Sequence, residues 1–138
     1  MKQYFADTGY YIALLNPGDE LHEQAVRLVN DLQPFHTVTT DLVLNETLTY
    51  FSRRGSEFRR LAHLLVQNEI ESPAVEVVYT GRLHFLKGLE LYRKRSDQRH
   101  SFTDCVSIVV MQDKGLSKAL AYDQHFLVEG LQPLLRGN

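Results

Sequence analysis

Ser101–Phe126 reads SFTDCVSIVVMQDKGLSKALAYDQHF, and this stretch decides the fold. Phe102–Lys114 is apolar enough for a buried helix, and Gly115 is the residue type that ends one. Lys118–Tyr122 then reads as a short strand, closed by Asp123. A buried helix headed by one acid (Asp104) and a strand ended by another form the local pattern of an α/β unit, whose polar groups collect at the carboxyl ends of the strands.

Working outward, the alternation continues in both directions. Gln3–Ala6 reads as a strand ended by Asp7, and Gly9–Leu15 as a short helix stopped by Asn16-Pro17-Gly18. Leu21, Ala25, Leu28 and Leu32 recur at helical spacing. His36–Thr39 is a β-branched strand, Asp41–Arg54 a helix ended at Gly55, and Phe58, Leu61 and Leu65 mark one face of another helix. Val75–Val78 is a third strand, followed by about fifteen helical residues from Tyr79. Lys118–Tyr122 is the fourth strand, and a fifth lies near Leu131–Leu134. The order predicts an α/β fold with a mainly parallel central sheet of four to five strands flanked by helices. No repeat or linker divides the 138 residues, so a single domain spanning 1–138 is expected, and that length suffices to bury a core.

The net charge of −2 excludes a protein drawn to nucleic acid by its total charge; a local basic surface is required instead. Two groups qualify: Arg93, Lys94, Arg95 and Arg99 before Ser101, and Arg53, Arg54, Arg59 and Arg60 around Gly55. The single Cys105 excludes an internal disulfide and a multi-cysteine zinc site. The start MKQYFADTGYY has no apolar signal-peptide core, and no run approaches the roughly 18 apolar residues of a membrane span. No membrane association and a cytoplasmic location are expected.

Asp7, Glu46, Asp104 and Asp123 stand where elements start or turn. Asp7 has a structural use as a helix cap, Asp104 as the acid of a capping box with Ser101, and Asp123 as a turn residue. Glu46 falls at the edge of an apolar arc holding Leu42, Val43, Tyr50 and Phe51, where a charge needs a partner or a cation. Asp7 and Asp123 end strands, and Glu46 and Asp104 are expected in the first turns of helices, so four segments point at one rim. Carboxylates gathered there repel one another unless a divalent cation neutralises them. Oxygen ligands without a His/Cys set favour Mg²⁺ or Mn²⁺, as one or two ions, over zinc. Asp7 and Asp104 are assigned as principal ligands, with Glu46 and Asp123 completing the shell; this is the design of metal-dependent phosphoryl transfer. Thr8, Ser101 and Thr103 offer hydroxyls, and Arg95 and Arg99 offer cations, to a phosphate. Asp113 lies on the opposite side of the Asp104 helix, and Asp41 is a first-turn carboxylate; both stay outside the cluster. Asp97, in the irregular stretch before Ser101, has an outer-shell place as its alternative and is left out of the assigned set; His125, beside Asp123, reads as a surface or packing residue, with substrate contact as the alternative.

With Asp7-Thr8 after the first strand, Glu46 within TTDLVLNE, Ser101-Phe102-Thr103-Asp104 opening an apolar helix, and Tyr122-Asp123-Gln124-His125-Phe126 near the end, the chain resembles the PIN-domain nucleases. It resembles especially the VapC-like toxins of bacterial and archaeal toxin–antitoxin pairs. Gly9 follows Asp7-Thr8 where Ser is also frequent. The resemblance implies a compact α/β fold, acids that bind Mg²⁺ or Mn²⁺, and a single-strand endoribonuclease that hydrolyses RNA through a metal-activated water and inhibits translation. It also implies a small antitoxin partner and a homodimer; Tyr10, Tyr11 and the apolar stripe of the second helix offer a surface for the dimer or belong to the core. The alternative is a catalytically inactive PIN module that binds RNA or protein, against which the four intact carboxylates argue. An aspartyl-phosphate phosphatase needs a second Asp two residues after the first, where Gly9 stands.

Overall fold

The computed structural model describes residues 1–137; the expected domain of 1–138 ends at Asn138, outside them. The elements in order are β1 (Gln3–Ala6), α1 (Thr8–Leu15), α2 (His22–Leu32), β2 (His36–Thr40), α3 (Asp41–Phe51), α4 (Ser56–Glu71), β3 (Val75–Val78), α5 (Arg82–Lys94), α6 (Phe102–Lys114), β4 (Lys118–Leu120), α7 (His125–Val128), β5 (Gln132–Pro133) and a 3-10 turn at Leu134–Arg136. The five strands form one sheet in the order β3-β2-β1-β4-β5, and every pairing is parallel.

β1 is central because Tyr4, Phe5 and Ala6 are all buried, as a strand covered by helices on both faces requires. Phe5 aligns with Val38 of β2 on one side and Ala119 of β4 on the other. The strand order therefore reverses between β1 and β4. In open α/β sheets a binding crevice lies outside the carboxyl ends of such a pair, and there Asp7 and Asp123 follow the two strands.

Several boundaries differ from the sequence reading for identifiable reasons. α3 ends at Phe51 rather than Arg54, because the turn Arg54 N–H to Phe51 O (3.2 Å) closes it. Gly55, with φ of 98°, opens α4 instead of capping α3. α5 begins at Arg82 because the Thr80 N–H and hydroxyl both donate to Asp41 Oδ1, at 3.0 and 2.9 Å, which holds that loop off the helix. β4 ends at Leu120, since the Ala121 carbonyl turns to accept from Leu135 N–H at 2.9 Å. Glu46 lies in the second turn of α3, not the first.

Tyr10 and Tyr11 are core residues, 5% and 1% exposed, and the Tyr11 hydroxyl donates to Glu69 Oε2 at 2.6 Å. Leu21, Leu28 and Leu32 also pack on the core. Tyr10 and Tyr11 are therefore interior, whereas the leucines of the α2 stripe are only partly buried. Among the described residues no helix is long and apolar enough to cross a membrane.

α6 is buried along most of its length, from Cys105 to Met111, and Gly115 ends it in the left-handed conformation (φ 68°). α5 lies against it through Gly88, where an added Cβ would stand 2.6 Å from Val106 Cγ2 and 3.5 Å from Val106 Cα. Val106 has one preferred rotamer in a helix and cannot yield freely. Gly88→Ala therefore gains about 1 kcal/mol of helix propensity but costs about 1–3 kcal/mol in overpacking. A net loss of up to about 2 kcal/mol is expected in urea denaturation; an increased midpoint would refute this packing.

Candidate active site

Asp7 occupies the turn between β1 and α1. Its N–H donates to the Leu120 carbonyl at 3.1 Å, which fixes it against β4. Although it stands at the N-cap of α1, its side chain makes no capping hydrogen bond. The carboxyl is left inside the crevice, 5% exposed. Among the described residues it has no Lys or Arg partner. Burial, and then the negative charges of Asp104, Glu46 and Asp123, push its pKa from 3.8 up to about 8, with only the Thr8 backbone N–H opposing. The other three predicted acids thus all act on this one group.

Glu46 reaches the crevice from α3, whose start is fixed by Thr40 Oγ1 accepting from Val43 N–H at 3.1 Å. It accepts from Thr8 Oγ1 at 2.6 Å. The Thr8 hydroxyl, which the sequence offers to a phosphate or a metal-bound water, donates to Glu46. Asp104 heads α6 in a complete capping box. Ser101 N–H donates to Asp104 Oδ2 at 2.8 Å, and Asp104 N–H donates to Ser101 Oγ at 3.1 Å. The capping use of Ser101 is therefore realised, and it orients the acid it accompanies. Asp104 Oδ1 faces His125 Nε2 at 3.4 Å. Asp123 is the outermost acid, 73% exposed, with Oδ2 3.8 Å from His125 Nδ1. Thr103 is half-buried in the first turn of α6.

The basic residues divide. Arg95 donates through Nε and a terminal nitrogen to Glu129, at 2.5 and 2.8 Å, and that carboxylate also meets His100 Nε2 at 3.3 Å. These contacts hold Glu129 below the usual carboxylate range. With its guanidinium bound to the side chain of Glu129, Arg95 ties the end of α5 to the end of α7. Arg99 lines a cavity of about 600 Å³ with Asp97, His100, Asp104, Asp123 and His125. In the second basic group, Arg54 covers the Tyr50 ring at 3.9 Å and Arg60 pairs with Glu57. Cys105 is buried, and burial with Asp104 and Glu129 raises its thiol to about 11; it is no nucleophile.

His100, His125 and Glu129 join the site without having been assigned to it from sequence. Only His125 had a visible signal, its place beside Asp123 in YDQHF.

The donor chemistry fits a divalent cation: a buried, unpaired carboxyl receives the field of three further acids from three other segments, and all of them are oxygen ligands. Among the described residues no three His, Cys, Asp or Glu side chains already stand in metal-holding geometry. Glu46 is turned to Thr8 and Asp123 outward to solvent.

Comparison with known proteins follows the same lines. The PIN domain profile matches residues 4–128. The 23S rRNA-specific endonuclease VapC20 of Mycobacterium tuberculosis, found in two strains, is 31% identical over 126 residues, covering 91% of this chain and 93% of that protein. The crystal structure of M. tuberculosis VapC20, described as a sarcin–ricin loop cleaving toxin, superposes with a TM-score of 0.82 at 30% identity, over 93% of this chain and 95% of that one. FitAcB from Neisseria gonorrhoeae gives a TM-score of 0.70 at 11% identity, over 98% and 99% of the two chains, a likeness of fold alone.

Proposed function

This chain belongs to the PIN-domain family, and from that membership we propose that it is a metal-dependent single-strand endoribonuclease, the toxin of a toxin–antitoxin pair. The observation that carries the reading is Asp7, a carboxyl buried beside three acids with no Lys or Arg to pair it. A protein that only bound RNA or protein would gain nothing from that repulsion. The whole chain, residues 1–138, serves as one nuclease domain, and its place of action is the cytoplasm.

Asp7 and Asp104 hold the cation, Mg²⁺ or Mn²⁺, with Glu46 and Asp123 completing the shell. When bound, such an ion supplies an activated water and stabilises charge on the phosphate. The chain's own residues set the geometry. Thr8 holds Glu46, Ser101 holds one oxygen of Asp104, and the crevice between β1 and β4 keeps Asp7 out of bulk water. Arg99, on the wall of the cavity beside Asp104, meets a substrate phosphate, while Thr103 and the Ser101 proton remain as donors at the rim. The likeness to VapC20 supports ribosomal RNA as the first substrate to test.

A small antitoxin and a second copy of the chain are the proposed partners. Leu83, Phe85, Leu86, Leu89 and Tyr92 of α5 are exposed, and an apolar stripe of this kind supports a protein partner where the interior Tyr10 and Tyr11 do not.

Purified protein freed of its partner, incubated with 23S and total RNA, tests the reading. Discrete products with 5′-phosphate ends are expected in Mg²⁺ or Mn²⁺, none in EDTA and none from Asp104→Asn. Cleavage that survives EDTA, or 2′,3′-cyclic phosphate ends, would refute it; RNA binding without cleavage would favour the inactive module. Arg99→Ala is expected to raise KM about tenfold with little change in kcat, and to reduce the salt dependence of binding by about one phosphate contact. A fall in kcat alone would remove Arg99 from that role.

A further inference from the structure

We infer that His125 is a positioning residue: its Nε2–H holds Asp104 Oδ1 and so sets the orientation in which that carboxylate receives the cation. The inference rests on the nuclease reading above, and it concerns a residue to which the sequence assigns no metal role. The His125 side chain is 8% exposed, and among the described residues its buried Nε2 has no hydrogen-bond partner. A buried donor left unmade is costly, and the one group it faces is Asp104 Oδ1 at 3.4 Å. That gap lies just outside the usual range of about 2.7–3.2 Å, and a small side-chain torsion closes it.

Two features aim the ring. It packs near His100, with ring centroids 5.6 Å apart, and against Phe126, at 4.2 Å. His125 also opens α7, whose far end is anchored where Glu129 binds Arg95 and His100. Asp104 Oδ2 is already taken by Ser101 N–H. With His125 on Oδ1, donors from two separate segments grip both oxygens, and the carboxylate presents its remaining lone pairs in one direction. Outer partners of this kind tune metal affinity. His125 Nδ1 faces Asp123 at 3.8 Å, but that carboxylate is 73% exposed and has water as an alternative. The single proton of the neutral imidazole therefore belongs on Nε2, where no substitute exists.

Two measurements test this without relying on cleavage. In the unsubstituted protein, ¹⁵N-histidine NMR is expected to find His125 protonated on Nε2, with that resonance moving as Mg²⁺ binds; a proton on Nδ1, or no response to bound Mg²⁺, overturns the inference. By calorimetry, His125→Leu is expected to bind Mn²⁺ about 10–100-fold more weakly. His125→Gln, whose amide restores an N–H at similar reach, is expected to recover most of the loss. Equal affinity in all three proteins, or equal loss in both variants, overturns the role. The cleavage counterpart is a fall in kcat at limiting Mn²⁺ that saturating Mn²⁺ restores, with KM for RNA unchanged. Should His125→Leu not fold, the NMR result alone decides. Wild-type protein that binds no Mn²⁺ removes the nuclease reading and this inference together, whereas tight binding by wild type and His125→Leu alike removes only the inference.

Discussion

Asp7→Asn is expected to lower metal-dependent cleavage by at least about a hundred- to a thousandfold, the scale on which losing one well-placed electrostatic group acts, and at the same time to stabilise the metal-free protein. Most substitutions of a buried polar residue cost stability; the environment of Asp7 reverses the sign. Its carboxyl is buried, makes no capping bond and is raised from 3.8 to about 8 by burial and by Asp104, Glu46 and Asp123. At about 1.4 kcal/mol for each tenfold change in proton affinity, ionising it in the folded chain at pH 8 costs on the order of 5 kcal/mol as an upper bound. Relaxation in both states reduces what is measured, and about 2 kcal/mol of stabilisation by the neutral isostere is expected in EDTA at pH 8. Asn keeps the shape and the backbone bond to Leu120 but supplies no charge to a cation. Loss of cleavage together with lower metal-free stability would show that Asp7 is a structural carboxylate, and the metal reading would fall with it.

How much of this was legible in the sequence depends on the length over which each signal is written. α6 was bounded at both ends, because thirteen residues of apolar helix between Ser101 and Gly115 carry cap, period and stop together. β1 is bounded as well, by Asp7 after a short run of Tyr4, Phe5 and Ala6, and β3 by Ser72-Pro73 before its three valines. α7, with four residues, completes little more than one turn, so no period could announce it. Because α7 was unseen, the relation of His125 to Asp104 and of Glu129 to Arg95 was unseen too. The four acids could be picked out because each interrupts a local pattern. Their division of labour could not, since it depends on bonds between residues far apart in the chain: Thr8 to Glu46, Arg95 to Glu129. Arg95 shows the limit clearly. Its neighbours Lys94 and Arg99 suggest a phosphate surface, and only the packing of α5 against the chain after α7 shows that its charge is already committed.

The response of stability to pH and metal follows from the same carboxyl. Asp7 has a folded pKa above its unfolded value, so its contribution to stability is fully present below about pH 4 and is lost as pH rises through about 8. In the metal-free protein this term weakens the fold progressively across that window. His125 works in the opposite sense: burial, the largest influence on it, outweighs the attraction of Asp104 and Asp123 and holds its pKa below 6.5, so it disfavours the fold at the acidic end. Comparing wild type with Asp7→Asn isolates the Asp7 term. Without metal, the stability advantage of the variant is expected to grow between pH 5.5 and 8.5. Mn²⁺ should act on wild type in the reverse direction, because a cation binds the ionised carboxylate and must displace its proton. At about a hundredfold excess over Kd the gain is about 2.7 kcal/mol, or roughly 8–10 °C in Tm for a chain of this size. At pH 5.5 most of that gain should vanish, since Asp7 keeps its proton, and Asp7→Asn should show little gain at either pH. Thermal denaturation of both proteins across this range, with Mn²⁺ and with EDTA, reads the whole cycle. A Mn²⁺ stabilisation as large at pH 5.5 as at pH 8.5, or equally large in the variant, would mean that the cation binds elsewhere on the molecule.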